Sequence, residues 1–208
     1  TNSRAVARQV QEIYGIDAEV VPPQPGLTPD GDRVPLAGIE SGFVLCVTRL
    51  QRYKNVDAVV DAFRSLPSER LVVAGDGPDA GRLRRSAPGN VTFLGPVTDA
   101  QLRWLYESCA GAVSAAYEDF GLVPVEAASF GRPTAALAFG GFLDTVEDGV
   151  NGVLFERPEP GAIASAVRRL LDSDWDETAL RSGAARFAEP VFAARLREIV
   201  SEISGGTS

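Results

Sequence analysis

The chain has 208 residues, 45% hydrophobic and 23% charged, with a net charge of −8 and a sequence pI of about 4.7. That is enough apolar material for one substantial core. The acidic balance argues against a broad nucleic-acid or anionic-membrane footprint, so an anionic ligand needs a local basic site. Cys46 and Cys109 sit in apolar neighbourhoods with no metal or redox spacing, which speaks against a disulfide framework. No apolar run approaches a membrane span and no signal-peptide pattern opens the chain, so a soluble, cytoplasmic protein is expected. Histidine and methionine are both absent, which removes any imidazole base and suggests a fragment or a processed chain.

In chain order, the first expected element is an amphipathic helix over residues 3–14, capped by Ser3, carrying Val6, Val10 and Ile13 on one face and ended by Gly15. A short strand is predicted at 18–21. Five prolines interleaved with glycines follow, with no core pattern, and predict a linker. From the apolar run at 42–48, strands and helices alternate: helix 55–66, strand 70–74, helix 79–87, strand 90–94, a helix capped by Thr98 or Asp99, strand 111–115, helix 122–130, strand 134–138, a helical turn at 142–146 and strand 152–155. Helices alone are predicted at 161–171, 176–187 and 190–203, and a mobile tail over 205–208. Strands spaced by helices in this way imply βαβ units and an α/β, doubly wound parallel sheet of Rossmann type with trailing helices.

In such sheets ligands sit beyond the carboxyl ends of the strands, which directs attention to the strand-to-helix loops. Thr48 to Asn55 carries Arg49, Arg52 and Lys54, three positive charges in an acidic chain, and Arg49 with Lys54 has the chemistry to clamp a diphosphate. A solvated basic turn is an equal reading. The loop Gly75-Asp76-Gly77-Pro78 permits close backbone approach, yet it fits neither the dinucleotide fingerprint nor the P-loop, and a plain turn into a helix accounts for it. The most informative stretch is Glu118-Asp119-Phe120-Gly121-Leu122-Val123-Pro124-Val125-Glu126. It reads as a strand end, a glycine turn and a helix start, with Glu118 in the loop and Glu126 about one turn into the helix. A helix mouth suits a phosphate and carboxylates suit hydroxyls, and together these suggest a nucleotide sugar.

In order, Thr48-Arg49-Leu50 with Tyr53-Lys54, the Gly75-Asp76-Gly77-Pro78 turn, Asn90 to Gly95 and the Glu-x7-Glu stretch resemble the C-terminal, donor-binding domain of a retaining glycosyltransferase of the two-domain GT-B type (family 4, group 1). They are most similar to O-antigen-type mannosyltransferases. The resemblance implies catalytic roles for Arg49 and Lys54 at the donor diphosphate and for Glu118 at the donor sugar. It implies that the N–H groups of Phe120, Gly121 and Leu122 meet sugar and phosphate, that Glu126 grips the ribose, and that Gly75 and Val97 seat the base. It implies GDP-mannose as donor, with a UDP-sugar as the alternative, no metal or other cofactor, and a glycan or lipid-linked acceptor held by an absent N-terminal domain. That absent domain would also be the route to the inner membrane surface. By the same resemblance, residues 1–22 end the absent domain, 23–41 link, 42–188 bind the donor, and 189–208 form a crossover helix and tail. A non-catalytic nucleotide-sugar-binding or scaffolding module is the remaining alternative, and no nucleic-acid partner is implied.

Overall fold

The computed structural model describes residues 1–205. Its first element is helix α1 (Arg4–Tyr14). Six short strands follow: β1 (Val44–Val47), β2 (Leu71–Ala74), β3 (Val91–Gly95), β4 (Gly111–Ser114), β5 (Thr134–Leu137) and β6 (Gly152–Phe155). They form one parallel sheet in the order β3-β2-β1-β4-β5-β6. Between them run α2 (Val56–Ala62), α3 (Ala80–Ser86), α4 (Asp99–Ser108), α5 (Leu122–Ser129) and the short α6 (Phe142–Thr145). Three helices close the chain: α7 (Pro160–Asp172), α8 (Glu177–Ala184) and α9 (Glu189–Gly205). The doubly wound parallel sheet expected from the sequence is therefore present.

The apolar run around β1 is continuous because both faces of the sheet are covered. Val44 and Cys46 point into a core built with Val59, Phe63, Ile163 and Val167, whereas Phe43 and Leu45 point into a second core with Leu105, Tyr106 and Phe130. Alternation along one strand thus feeds two helical layers. Burial of both thiols raises their pKa to about 12, so Cys46 and Cys109 are packed as inert core groups.

Helix ends follow local chemistry. Ser3 Oγ accepts from Val6 N at 3.1 Å, and Gly15 ends α1 in the left-handed region at φ 68°. Thr98 and Gln101 form a reciprocal capping box at the start of α4.

Two expectations are corrected. Residues 18–21 form no strand, because their backbone meets no neighbouring strand. Their ladder-like partners are at Thr1, whose ammonium donates to Glu19 O at 2.6 Å and whose carbonyl accepts from Val21 N at 2.8 Å. The proline-rich stretch is irregular, as expected, but it does contribute to a core. Leu27 is buried in the second cluster, and Leu36 and Ile39 pack against it. The trailing α9 leaves Val191, Leu196, Val200 and Ile203 exposed and is tied back to residue 19 by an Arg195 to Glu19 ion pair. Of the expected mobile tail, residues 206–208 lie outside the described residues. No helix among the described residues is long and apolar enough to cross a membrane.

Asn90, just before β3, holds the turn that delivers the chain to β2. Its side-chain amide donates to the carbonyls of Phe63 (3.1 Å), Leu66 (2.9 Å) and Glu69 (2.8 Å). Asn90→Ala leaves these part-buried carbonyls without that donor, and we expect a loss of about 1–3 kcal/mol in urea unfolding with an unchanged m-value.

Candidate functional site

The strand order turns at β1, with β2 and β3 on one side and β4 to β6 on the other, so a crevice opens between the loops that follow β1 and β4. Those two loops are joined by three contacts. Asn55 Nδ2 donates to Ala115 O at 2.7 Å, Tyr117 N donates to Tyr53 O at 3.2 Å, and the Lys54 ammonium pairs with Glu118 Oε1. Asn55 takes a left-handed φ of 51°, alone among the described non-glycine residues, and this turns the chain from the loop into α2.

The basic loop is not a symmetric clamp. Lys54 is only 10% exposed, sits 4.7 Å from the centroid of the Tyr53 ring, and is already paired with Glu118, which is 29% exposed. Arg49 is exposed, and its guanidinium has no side-chain partner among the described residues. Sequence reasoning placed Lys54 and Glu118 in the same crevice but missed their pairing with each other. A lone lysine facing a lone glutamate across the switch point is the only signal that pointed to it.

At the mouth of α5, Gly121 has φ 81°, and a Cβ there would lie 2.3 Å from the Phe142 ring. The following β5–α6 loop presses on the same turn. A Cβ on Gly140 would lie 2.0 Å from Glu118 O, one on Gly141 would lie 2.1 Å from Phe120 Cα, and Gly141 N donates to Glu118 O at 3.0 Å. Gly140 and Gly141 were not singled out in the sequence, although two adjacent glycines in the loop after a strand are a recognisable sign of close backbone approach. Phe120 turns its ring into a cluster with Phe187, so only its backbone faces the crevice. Among the described residues no backbone carbonyl accepts from the N–H groups of Phe120, Gly121 or Leu122. These donors, at the positive end of a helix, suit an anion.

Glu126 does not flank this mouth as an exposed acid. It is 9% exposed and accepts from the Tyr106 hydroxyl at 2.9 Å, in the second core, where the Tyr106 ring stacks on Phe130 at 5.4 Å. Burial raises its pKa, while the Tyr106 hydroxyl and the N–H groups of Gly26 and Leu27 work against that rise. The two glutamates therefore occupy different environments, one beside a cation and one among neutral donors.

Gly75 and Val97 line a cavity of about 350 Å³ together with Thr48, Arg49 and Pro96, next to the crevice. Gly75 is at φ 124°, and a Cβ there would meet Thr48 O at 2.0 Å. A Cβ on Gly77 would lie 2.5 Å from Leu50 O. Both glycines thus let one loop backbone lie directly on another, which is the structural reading of this turn and also what shapes the cavity floor. A larger cavity of about 600 Å³ lies elsewhere, between the proline-rich stretch and α5 and α8, near Thr28, Arg181 and Ala188. It contains none of the predicted site residues.

Two outcomes test this geometry. Gly140→Ala forces a side chain into the Glu118 carbonyl, and we expect it to destabilise the chain by at least about 2 kcal/mol, whereas Gly183→Ala, in open space on α8, should gain up to about 1 kcal/mol. Because the folded pKa of Glu126 is raised, the folded state binds its proton more tightly. Its contribution to stability is then most favourable at acidic pH and declines as pH rises from the unfolded carboxylate range through the folded value. Glu126→Gln should accordingly gain stability relative to the wild type between pH 4 and pH 7, followed by urea unfolding at each pH.

The model of the family described as glycosyl transferases group 1 matches residues 35–187. D-inositol 3-phosphate glycosyltransferase of Mycobacterium tuberculosis is 34% identical over 192 residues, covering 82% of this chain and 40% of that protein. The chain thus spans about 40% of the length of the curated relatives it matches. HepE from Anabaena, in complex with UDP and glucose, has a TM-score of 0.80 and 22% identity over 97% of this chain and 62% of that one. Sucrose-phosphate synthase from Thermosynechococcus elongatus has a TM-score of 0.81 and 23% identity over 100% of this chain and 58% of that one. At these identities the solved structures speak for the fold alone. With most of its length matched by one family model, the chain belongs to the glycosyl transferases group 1 family.

Proposed function

We propose that this chain is the nucleotide-sugar-binding domain of a retaining hexosyltransferase, with the donor lying across the β1/β4 switch point. The observation that carries this reading is the convergence, at one crevice, of a free Arg49, the Lys54 to Glu118 pair and the open N–H groups of the α5 mouth. A diphosphate supplies the anion for Arg49, Lys54 and the helix mouth. Glu118, once Lys54 turns to the phosphate, is left to accept from hydroxyls of the sugar. Glu126 faces the ribose, and the shelf at Gly75 and Val97 receives the base. Proteins that transfer a glycosyl group with retention on such a site need no nucleophile here. The departing phosphate takes the acceptor proton, and the protein positions groups and offsets charge. The acceptor, a glycan or lipid-linked chain, would be held by a domain outside these residues, with 1–22 as its end and 23–41 as the connection. A purely scaffolding module has no need of these paired charges.

Two kinds of support diverge on the donor itself. The motif runs resemble mannosyltransferases and favour GDP-mannose. Solved structures of HepE, which share this fold, are complexes with UDP and glucose, UDP-glucose or UDP, and these favour a UDP-hexose. We take UDP-hexose as the working donor, since it follows from ligands seen on this fold, and keep GDP-mannose as the second reading.

Calorimetric titration of the 208-residue chain with UDP-glucose, UDP, GDP-mannose and GDP separates them. The uridine pair should bind more tightly, and Arg49→Ala and Lys54→Ala should each weaken it by about tenfold or more, the scale of a charged hydrogen bond. Glu118→Ala should lower affinity for UDP-glucose and spare UDP. Tighter binding of GDP-mannose selects the second reading, and binding of none of the four ligands sinks donor recognition by this chain.

A further inference from the structure

Beside the turn at Glu118 runs a groove that none of the roles above uses. It has a volume of about 320 Å³ and is lined by Arg8, Gln9 and Glu12 of α1 on one wall and by Phe139, Gly140 and Leu143, from the β5–α6 loop into α6, on the other. That size falls at the lower end of small-molecule sites. Phe139 and Leu143 are exposed, and the Phe139 ring meets the exposed Tyr117 ring edge to face, with centroids 4.8 Å apart and planes at 84°. Single exposed apolar side chains call for no explanation, but three of them stand together here. The opposite wall is polar. The side chains of Arg8, Gln9 and Glu12 have no hydrogen-bond or ion-pair partner among the described residues, so a guanidinium donor, a carboxylate acceptor and an amide that does both are available on α1.

The two walls are tied together. Arg4, at the start of α1, donates from its backbone N and from Nε to the Asp144 carboxylate, both at 2.7 Å, and from Nη2 to Leu143 O at 3.2 Å. Gly140 lines the groove and is also the residue whose backbone packs on Glu118 O.

We propose that this groove is an acceptor subsite for one pyranose ring, whose C–H face lies on Phe139 and Leu143 and whose hydroxyls meet Arg8, Gln9 and Glu12. The inference rests on the donor-site reading given above and adds to it a place for the acceptor on this chain. A pyranose is itself amphipathic, with C–H bonds crowded on one face and hydroxyls around the rim, and it matches a groove with one aromatic wall and one hydrogen-bonding wall. A purely apolar ligand gains nothing from Arg8 and Glu12. An anion is disfavoured as well, because the one positive and one negative charge on the polar wall cancel. Tyr117 precedes Glu118 and props the Phe139 ring, so the acid at the donor sugar and the platform for the acceptor ring are set by the same loop.

The test is amide chemical-shift mapping of the isotope-labelled 208-residue chain, first saturated with UDP-glucose so that free sugar is kept out of the donor site, and then titrated with methyl β-D-glucopyranoside. Saturable shifts are expected at Arg8, Gln9, Phe139 and Leu143, with a Kd in the millimolar range for a single ring. Sorbitol, which offers hydroxyls without a ring face, should leave these amides unmoved. Phe139→Ser and Leu143→Ser, both at exposed positions, should each weaken glucoside binding by about three- to tenfold. Affinity for UDP-glucose should stay at its wild-type value in both, which also shows that they are folded. Binding of UDP-glucose with no glucoside shifts in the groove overturns the proposal and leaves the donor reading standing. Equal responses to sorbitol and glucoside, or wild-type glucoside affinity in both variants, overturn it too. Glucoside in the groove with no uptake of UDP-glucose refutes the donor reading, and the acceptor role falls with it.

Discussion

The ion pair between Lys54 and Glu118 is the constraint on which the rest of this site depends. It joins the loops after β1 and β4, the two adjacent parallel strands at which the strand order turns. An isolated charge at this depth would be costly, and each member of the pair removes that cost for the other. The contribution to overall stability is modest for a pair that still reaches solvent. Its larger effect is geometric, because the Asn55 side-chain amide and the Tyr117 backbone N–H add hydrogen bonds between the same loops and the two loops then behave as one surface. In a chain with a net charge of −8, its only lysine is committed to this point, and the exposed Arg49 guanidinium remains open beside it.

Close backbone contact is the second requirement, and glycine supplies it in two places. Gly140 and Gly141 let the β5–α6 loop rest on the backbone of Glu118 and Phe120, and Gly75 and Gly77 do the same for the β2–α3 loop against Thr48 and Leu50. Each contact fixes a loop that would otherwise be free to move at a strand end. The loops around the crevice are therefore set by main-chain contacts in these two places, and side chains add charge to that frame.

Much of this was legible in the sequence because the signals are local. The β1 run is apolar without alternation since Val44 and Leu45 enter different cores, and Ser3, Gly15 and Thr98 mark helix ends through the hydrogen bonds they make. The failures have a common physical cause, which is dependence on distant partners. Residues 18–21 have the β-branched composition of a strand but no strand beside them, and Leu27 looks like a loop residue until α4 and α5 provide a surface for it. For the site, spacing placed Glu118 and Glu126 at one helix start. It could not show that Lys54 would meet the first, that Tyr106, twenty residues upstream, would meet the second, or that one acid would be buried and the other would not. Those facts depend on how layers pack and not on local pattern.

The proposed donor site is the charged crevice and not the larger cavity beside α8. Amide chemical-shift mapping of the isotope-labelled chain during titration with UDP-glucose tests that placement directly. A donor in the crevice should shift Arg49, Lys54, Gly75, Glu118 and the Phe120 to Leu122 turn and leave Arg181, Ala185 and Ala188 unmoved. Shifts clustered on Arg181, Ala185 and Ala188 while the crevice stays silent would contradict it.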